Sequence, residues 1–451
     1  MVFSAKAKQE FNIEAVVSPK TEAFINECIR AYQGTPDWLD ENVTTVNFAE
    51  SVCSEVARLT TLAIGITVDG SARADYLQAK IDSVFFRLRD WVEYGMGYGT
   101  IILKPTIDDI QVMTPERFMI TDVTNGQING IVFHDQIQSA DGKKWYNKLE
   151  YHRFLDNGNY AIDNRCYVGD TVNDAGKPLN IEDSPWRGLL DSAELKNVET
   201  PLFGVLKTPQ ANNKEVESAL GLPIFAKAIE ELKDLDIAYS RNAGEIADSE
   251  KIVLMDSDKL MVNGKANVRN YEQTRKTMKL PHYIRTVEGN GSDDFYQEIN
   301  PQLNTPVRLE GINYLLSQIG FKCGFSNGYF VFNEKTGMVT ATQVEADDRR
   351  TIQFIKDCRD RLESALDGLI YALTVFADLY SLAPVGAYEV TYDFGDITYN
   401  AEEDRQRWWN YVQSGKVPAW KYFVKFEGMS EDEAKEMLAE ATNTSTIYEE
   451  E

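Results

Sequence analysis

Across residues 305–380 the apolar positions fall twice at helical spacing, on either side of a glycine-punctuated break. In the first run Val307, Ile312, Leu315, Leu316 and Ile319 follow Thr305 and Pro306, a residue pair suited to an N-cap and a first helical position. In the second, Ile352, Ile355, Leu362, Leu366, Leu369, Leu373, Phe376 and Tyr380 follow Thr342 and Glu345, which have capping-box spacing. At a rise of ~1.5 Å per residue this second helix would extend about 58 Å before Pro384 and Gly386 end it. Between the two, Gly320, Gly324, Gly328 and Gly337 punctuate a stretch in which Tyr329, Phe330, Val331 and Phe332 read as extended, with residues 333–337 as a turn.

The rest of the chain arranges itself around these struts. Residues 19–33 and 48–63 have amphipathic spacing, and a third helix is predicted over 75–95, with Leu77, Ile81, Val84, Phe85, Leu88, Trp91 and Val92 near one face. From 100 to 169 apolar and polar residues alternate, punctuated by Asn125-Gly126, Asp141-Gly142 and Asn157-Gly158, so this is an antiparallel β region built from hairpins. Residues 170–210 are polar and irregular, with Trp186 and Phe203 as anchors. Helical spacing returns over 222–248, a strand is predicted at 251–255, and a mixed, charged segment runs to 304. That segment is bracketed by two helices, as a small module on a stalk would be. Two late strands, 388–392 and 397–399, precede short helices over 402–413, 420–426 and 431–441 and an acidic tail. The fold class is α+β.

A length of 451 residues allows roughly two to four domains, or one extended protomer of a larger assembly. The net charge of −25, from 71 acidic and 46 basic residues, excludes a protein that grips nucleic acid through a broad basic face. Most of that acidity reads as solvated surface, and the alternative is a lining past which a polyanion slides without sticking. Five cysteines, widely spaced and without a C-x-x-C, indicate neither a disulfide framework nor a zinc site, and reduced thiols are expected. No apolar run reaches membrane-span length and residues 1–17 lack a signal-peptide core, so a soluble chain with no membrane contact, made inside the cell, is expected.

A catalytic constellation is not evident. The chain has no G-x-x-x-x-G-K-[ST], no G-x-S-x-G and no H-E-x-x-H. The run Gly95-Met-Gly-Tyr-Gly99 lacks the lysine and helix context of a phosphate loop, and in residues 156–163 Gly158 and Tyr160 stand where a calcium loop needs oxygen ligands. His134, His152 and His282 have no metal-ligand spacing, and the first two read as structural. The pairs Asp108-Asp109, Asp293-Asp294 and Asp347-Asp348 diverge on either a strand or a helix, which argues against a dyad. No cofactor and no metal are expected. An acid-dependent nuclease or other packaging enzyme is the alternative reading, and it needs a close carboxylate cluster.

The run Gly324-Phe-Ser-Asn-Gly-Tyr-Phe-Val-Phe-Asn-Glu-Lys-Thr-Gly-Met-Val-Thr-Ala-Thr-Gln-Val344 resembles a stretch of tailed-bacteriophage portal proteins, in a branch from long-tailed phages and prophages of Gram-positive bacteria. Family members read Thr-Ala-Thr-Glu-Val where this chain has Gln343. Residues 47–58, 91–105, 220–226 with 234–256, 388–404 and 429–434 extend the likeness in order along nearly the whole chain. The resemblance implies a portal fold: a wing (1–217), a helical stem (218–248 and 305–321), a small α/β clip (249–304) and a tunnel loop (322–341). A long wing helix with return strands (342–400) and a short helical crown with the tail (401–451) complete it.

It further implies a closed homo-oligomeric ring of about twelve subunits at one capsid vertex of the virion, assembled in the host cytoplasm. Such a ring passes double-stranded DNA without sequence preference during packaging and ejection. Its partners are the terminase, head-completion and adaptor proteins, and the major capsid and scaffold proteins, and it catalyses nothing. Carried onto this sequence, Lys322, Asn327, Asn333, Glu334, Lys335 and Thr336 are expected to line the DNA tunnel. The partner-binding clip is expected at Asp256, Asp258, Lys259, Lys265, Arg269, Arg275, Lys276, Asp293 and Asp294, a mixture of charges suited to electrostatic docking.

Overall fold

The computed structural model describes residues 2–106, 109–248, 252–256, 284–287, 296–299, 305–331, 341–395, 401–414 and 416–438. Helix (47%) outweighs strand (20%), and the α+β class holds because the two alternate in blocks rather than residue by residue. The first block is α1 (Val2–Phe11), α2 (Pro19–Tyr32), α3 (Phe48–Thr60), β1 (Gly65–Asp69), α4 (Ala72–Val84) and α5 (Leu88–Tyr98). Nine strands follow: β2 (Thr100–Pro105), β3 (Ile110–Met113), β4 (Phe118–Thr124), β5 (Gln127–Gln138), β6 (Trp145–Phe154), β7 (Tyr160–Gly169), β8 (Lys177–Leu179), β9 (Ser192–Leu195) and β10 (Gly204–Lys207). Then come α6 (Ile229–Asp248), β11 (Ile252–Asp256), β12 (Ile284–Val287), β13 (Tyr296–Ile299), α7 (Thr305–Lys322), α8 (Ala341–Leu379), β14 (Glu389–Asp393), α9 (Ala401–Gln413) and α10 (Ala419–Glu427).

Two compact units result: Met1–Thr61 with Ile66–Tyr392, and Leu62–Gly65 with Asp393–Glu451. In the second unit α9 and α10 meet edge to face through Trp408 on Phe426 and Trp409 on Tyr422. Helix 431–438 opens on a capping box: Glu433 accepts from the Ser430 backbone N–H at 3.0 Å, and the Glu433 N–H donates to Ser430 Oγ at 3.3 Å.

In the first unit the large sheet runs β4-β5-β6-β7-β8, with β9 also paired to β7. The β4–β5 hairpin turns on Asn125 (φ 52°) and Gly126 (φ 78°), both left-handed, as a two-residue Asn-Gly turn requires. One face of this sheet is closed by α1, which inserts Phe3 and Ala7 among Met119, Val132, Leu149, Tyr151 and Tyr167. That helix has no counterpart in the sequence reading, although Phe3, Ala7 and Phe11 stand one turn apart. The opposite face is covered in part by α8, where Ala372 joins Tyr160, Val198 and Leu202.

A second sheet, β10-β2-β3, is buried along all of β2. Helix α8 crosses β10 so closely that a Cβ on Gly204 would lie 2.1 Å from the Ala365 carbonyl oxygen. The glycines at 95 and 97 serve the same need. Added side chains there would lie 2.7 Å from Leu206 and 2.8 Å from the Tyr32 ring, so α5 is thinned to fit between β10 and α2.

The helix expected over 75–95 is divided by a 3-10 turn at Phe85–Arg87, from which Arg87 reaches Asp109 and the Ile110 carbonyl beside β3. Residues 170–210, expected to be irregular, contribute β8, β9 and β10. The long helix appears as expected, ending in a turn at Ser381 (φ 51°). Its end is gathered by the buried Arg73 of α4, which donates to the carbonyls of Thr374 (2.7 Å), Ala383 (2.8 Å) and Pro384 (3.0 Å) and pairs with Asp378. All five cysteines are buried free thiols, and burial pushes Cys28 and Cys323 up to about 12. No helix among the described residues is long and apolar enough to cross a membrane.

Candidate functional site

Helices α6 and α7 lie side by side. Leu232 and Leu235 of α6 and Ile312, Leu316 and Ile319 of α7 are buried, as their helical spacing dictates. Asp236, 4% exposed, fixes the base of α6 to the segment before α3 by accepting from Trp38 Nε1 (2.9 Å), the Val46 N–H (2.9 Å) and Thr45 Oγ1 (3.2 Å). At the same end of the pair, where α6 begins and α7 finishes, the Lys322 ammonium closes an ion pair on Glu231.

Past Lys322 the chain folds back onto its own body. Gly324 takes φ 105°, and a Cβ there would lie 2.6 Å from the Phe354 ring. Phe325 is fully buried against Phe330 and Tyr329, and Phe330 meets Phe48 of α3 edge-on at 5.2 Å. Ser326 joins α8 through its N–H, which donates to Thr351 Oγ1 at 2.8 Å, and the Tyr329 hydroxyl donates to Glu55 of α3. The extended conformation expected at Tyr329 and Phe330 is therefore corrected: residues 327–330 form a turn. The reason is the mutual contact of the Tyr329 and Phe330 rings with each other and with buried Phe325, which a strand, pointing adjacent rings to opposite faces, does not allow.

The residues expected to meet DNA are distributed accordingly. Lys322 is held by Glu231, and Asn327 Oδ1 accepts from Ser317 Oγ of α7, so both are engaged inside the subunit. Asn333, Glu334, Lys335 and Thr336 lie outside the described residues. Of the expected docking residues, Asp256 ends β11 in a three-stranded sheet of order β12-β11-β13, with β12 parallel and β13 antiparallel to β11. Asp258, Lys259, Lys265, Arg269, Arg275, Lys276, Asp293 and Asp294 lie outside the described residues, as do Phe332, the strand expected at 397–399 and His282.

The apolar run expected on α7 grouped Val307 with the positions now buried and left out Tyr314 and Phe321, yet these three share its outer face. Val307, Tyr314 and Phe321 are exposed by 70%, 65% and 45%, and they recur every seventh residue. Seven residues are nearly two helical turns, so the three form one apolar stripe, with the Arg350 guanidinium over the Phe321 ring at its end. The 3.5-residue period was present in the sequence, but buried Ile312, Leu316 and Ile319 on the other face masked it.

A second cluster of ionisable groups sits between β2, β5 and β6. Lys104 pairs with Asp135 (2.8 Å) and Glu150 (3.1 Å), and Lys148 with the same two carboxylates (3.1 and 2.6 Å). Glu150 also accepts from His152 Nε2 at 2.7 Å, while Nδ1 faces the Tyr160 hydroxyl at 3.0 Å, which in turn accepts from the Leu202 N–H. Burial opposes the charge on Asp135 and Glu150, but the two ammonium groups outweigh it and hold both carboxyls below the usual range. Burial lowers His152 despite Glu150, so the imidazole is neutral, its proton on Nε2. His134 is lowered by burial too, stacks on Phe3 at 4.9 Å and bonds Asn147.

Among the described residues no three His, Cys, Asp or Glu side chains converge to hold a metal ion. Comparison with family models and with curated protein sequences gives no match.

Proposed function

We propose that this chain is a portal protein of a tailed bacteriophage, one subunit of a closed ring that conducts DNA through a capsid vertex and receives the packaging motor and head-completion proteins. The observation that carries the reading is the apolar stripe on α7, because an exposed heptad-spaced face on a helix already packed on its other side is a surface suited to a neighbouring helix. A closed ring covers the same stripe on every copy and leaves no growing end.

Three further features support it. The helix pair α6–α7 brackets a small sheet, as a stem brackets a clip; a 39-residue helix follows the loop; and a helical unit closes the chain. The portal-like run falls on that loop and the start of α8, and the acidic balance of 71 against 46 suits a channel that must release DNA. In this reading the DNA-facing residues are those beyond Val331, since Lys322 and Asn327 are already committed to Glu231 and Ser317.

The test is assembly. Native mass spectrometry and electron microscopy of the purified full chain should show rings of about twelve subunits. Val307→Glu with Tyr314→Glu should yield folded monomers. A wild-type chain that stays monomeric at high concentration ends the proposal.

A further inference from the structure

Strands β1 and β14 form a ribbon of two strands. Gly70 stands against the Ala387 carbonyl and the Tyr388 Cα, and Gly65 against Asp393, so the strands run antiparallel, with Val68 opposite Val390 and Ile66 opposite Tyr392. A two-stranded ribbon is marginal in water, and each outer edge presents unpaired N–H and C=O groups.

The two edges are treated differently. On β1 the side-chain amide of Gln78 imitates a third strand: its Oε1 accepts from the Val68 N–H at 2.7 Å and its Nε2 donates to the Ile66 carbonyl at 3.2 Å. Ile66 and Val68 therefore turn their backbone groups away from β14. In an antiparallel pair the residues opposite them do the same, so Val390 and Tyr392 point their N–H and C=O groups out of the ribbon. Among the described residues nothing bonds those groups.

The charge beside this edge is of one sign. Asp360, Glu363 and Asp367 follow one another on a single face of α8, and the Tyr392 hydroxyl donates to Asp367 at 2.7 Å. Burial and the two neighbouring aspartates raise the Glu363 carboxyl, which marks the crowding. Glu389 and Asp393 add exposed carboxylates on β14 itself. A second copy, carrying the same 71 acidic against 46 basic residues, is poorly matched to such an edge.

We propose that the outer edge of β14 takes an extended, lysine- or arginine-bearing segment of a partner protein as the third strand of this ribbon. Backbone bonds to Val390 and Tyr392 supply the pairing, and alternate basic side chains of the incoming strand meet the α8 carboxylates. The proposal rests on the ribbon alone and is independent of ring formation.

The test uses the full chain and a short, end-blocked, fluorescein-labelled peptide of alternating lysine and valine. Anisotropy should report saturable binding, and amide exchange at Val390 and Tyr392 should slow when the peptide is added. Val390→Pro removes one outward N–H while leaving the bonds to β1, and should weaken binding by about tenfold or more. Glu389→Lys should weaken it several-fold. The proposal is overturned if the peptide does not bind, if Val390→Pro binds as the wild type does, or if a proline-interrupted peptide of equal charge binds as well. Should Val390→Pro fail to fold, the exchange measurement on the wild type decides. Slow exchange at Val390 without peptide, rising with protein concentration, would assign the edge to a second copy instead.

Discussion

Between β2 and β6, Lys104, Lys148, Asp135 and Glu150 are each 14% exposed or less and neutralise one another, whereas on α7 the side chains of Val307 and Tyr314 stand in solvent. The first region has charge where apolar groups are usual and the second has apolar groups where charge is usual. Buried ion pairs repay their desolvation poorly but punish the loss of a partner, so the sheet is specific about its own closure. An exposed stripe adds little to the stability of one subunit, and its contribution comes from what covers it. The sheet region is closed within one chain, whereas the stripe on α7 is left open to solvent.

Four perturbations would break or sharpen that contrast, in decreasing order of expected effect on subunit stability. Glu150→Ala leaves two buried ammonium groups to share Asp135 and should cost about 3–5 kcal/mol in urea denaturation. A cost under about 1 kcal/mol would mean that water reaches the cluster and the contrast fails. Acidification should act next. Because the folded values of His152 and His134 are lowered, the unfolded chain takes up those protons first, and stability present above pH ~6.5 should decline below it. The lowered Asp135 and Glu150 then contribute stability above the ordinary carboxylate range that is lost as pH falls through their folded values. Replacing both histidines by Gln should remove the first stage and keep the second, as followed by thermal melts across pH.

Tyr329→Phe deletes the bond to Glu55 but keeps the ring among Phe325 and Phe330, so a loss of about 1 kcal/mol is expected. A larger loss would place the turn after α7 with the sheet as a closed region. Smallest of all, Val307→Ser with Tyr314→Ser should change the unfolding of a dilute, dissociated subunit by no more than about 0.5 kcal/mol, while reducing the ring population seen by native mass spectrometry.

Local rules made much of this legible. Asn125-Gly126 announced a hairpin because both positions need a left-handed backbone, and apolar spacing placed α7 and α8 within a turn of where they lie, while α6 begins at Ile229 rather than at the expected 222. What escaped were facts of long-range packing. Alternation along β6 separated Leu149 and Tyr151 from Lys148, Glu150 and His152, but it could not say that β2 covers the polar face as α1 covers the apolar one. Likewise, Tyr329 and Phe330 have β-prone side chains, and a cluster with Phe48, far away in sequence, decided their conformation. Of the candidate site, the residue types at Lys322 and Asn327 suited phosphate contact, and their intramolecular partners Glu231 and Ser317 became visible only once α6 and α7 were paired.

The anchoring of α8 has a mechanical consequence. Thr351 is tied to Ser326, Arg359 donates to the carbonyls of Leu59 and Thr60 at the end of α3, and Asp378 with the last turn is held by Arg73. These are three bearings along one beam, separated by about 12 and 28 Å at ~1.5 Å per residue. A load coming from the Ala341 end meets the contacts of Arg350 with Phe321 and of Thr351 with Ser326 before it reaches the other two bearings. An axial thrust on α8 is passed to α3 through the carbonyls of Leu59 and Thr60, which accept from Arg359, and to α4 through the buried guanidinium of Arg73.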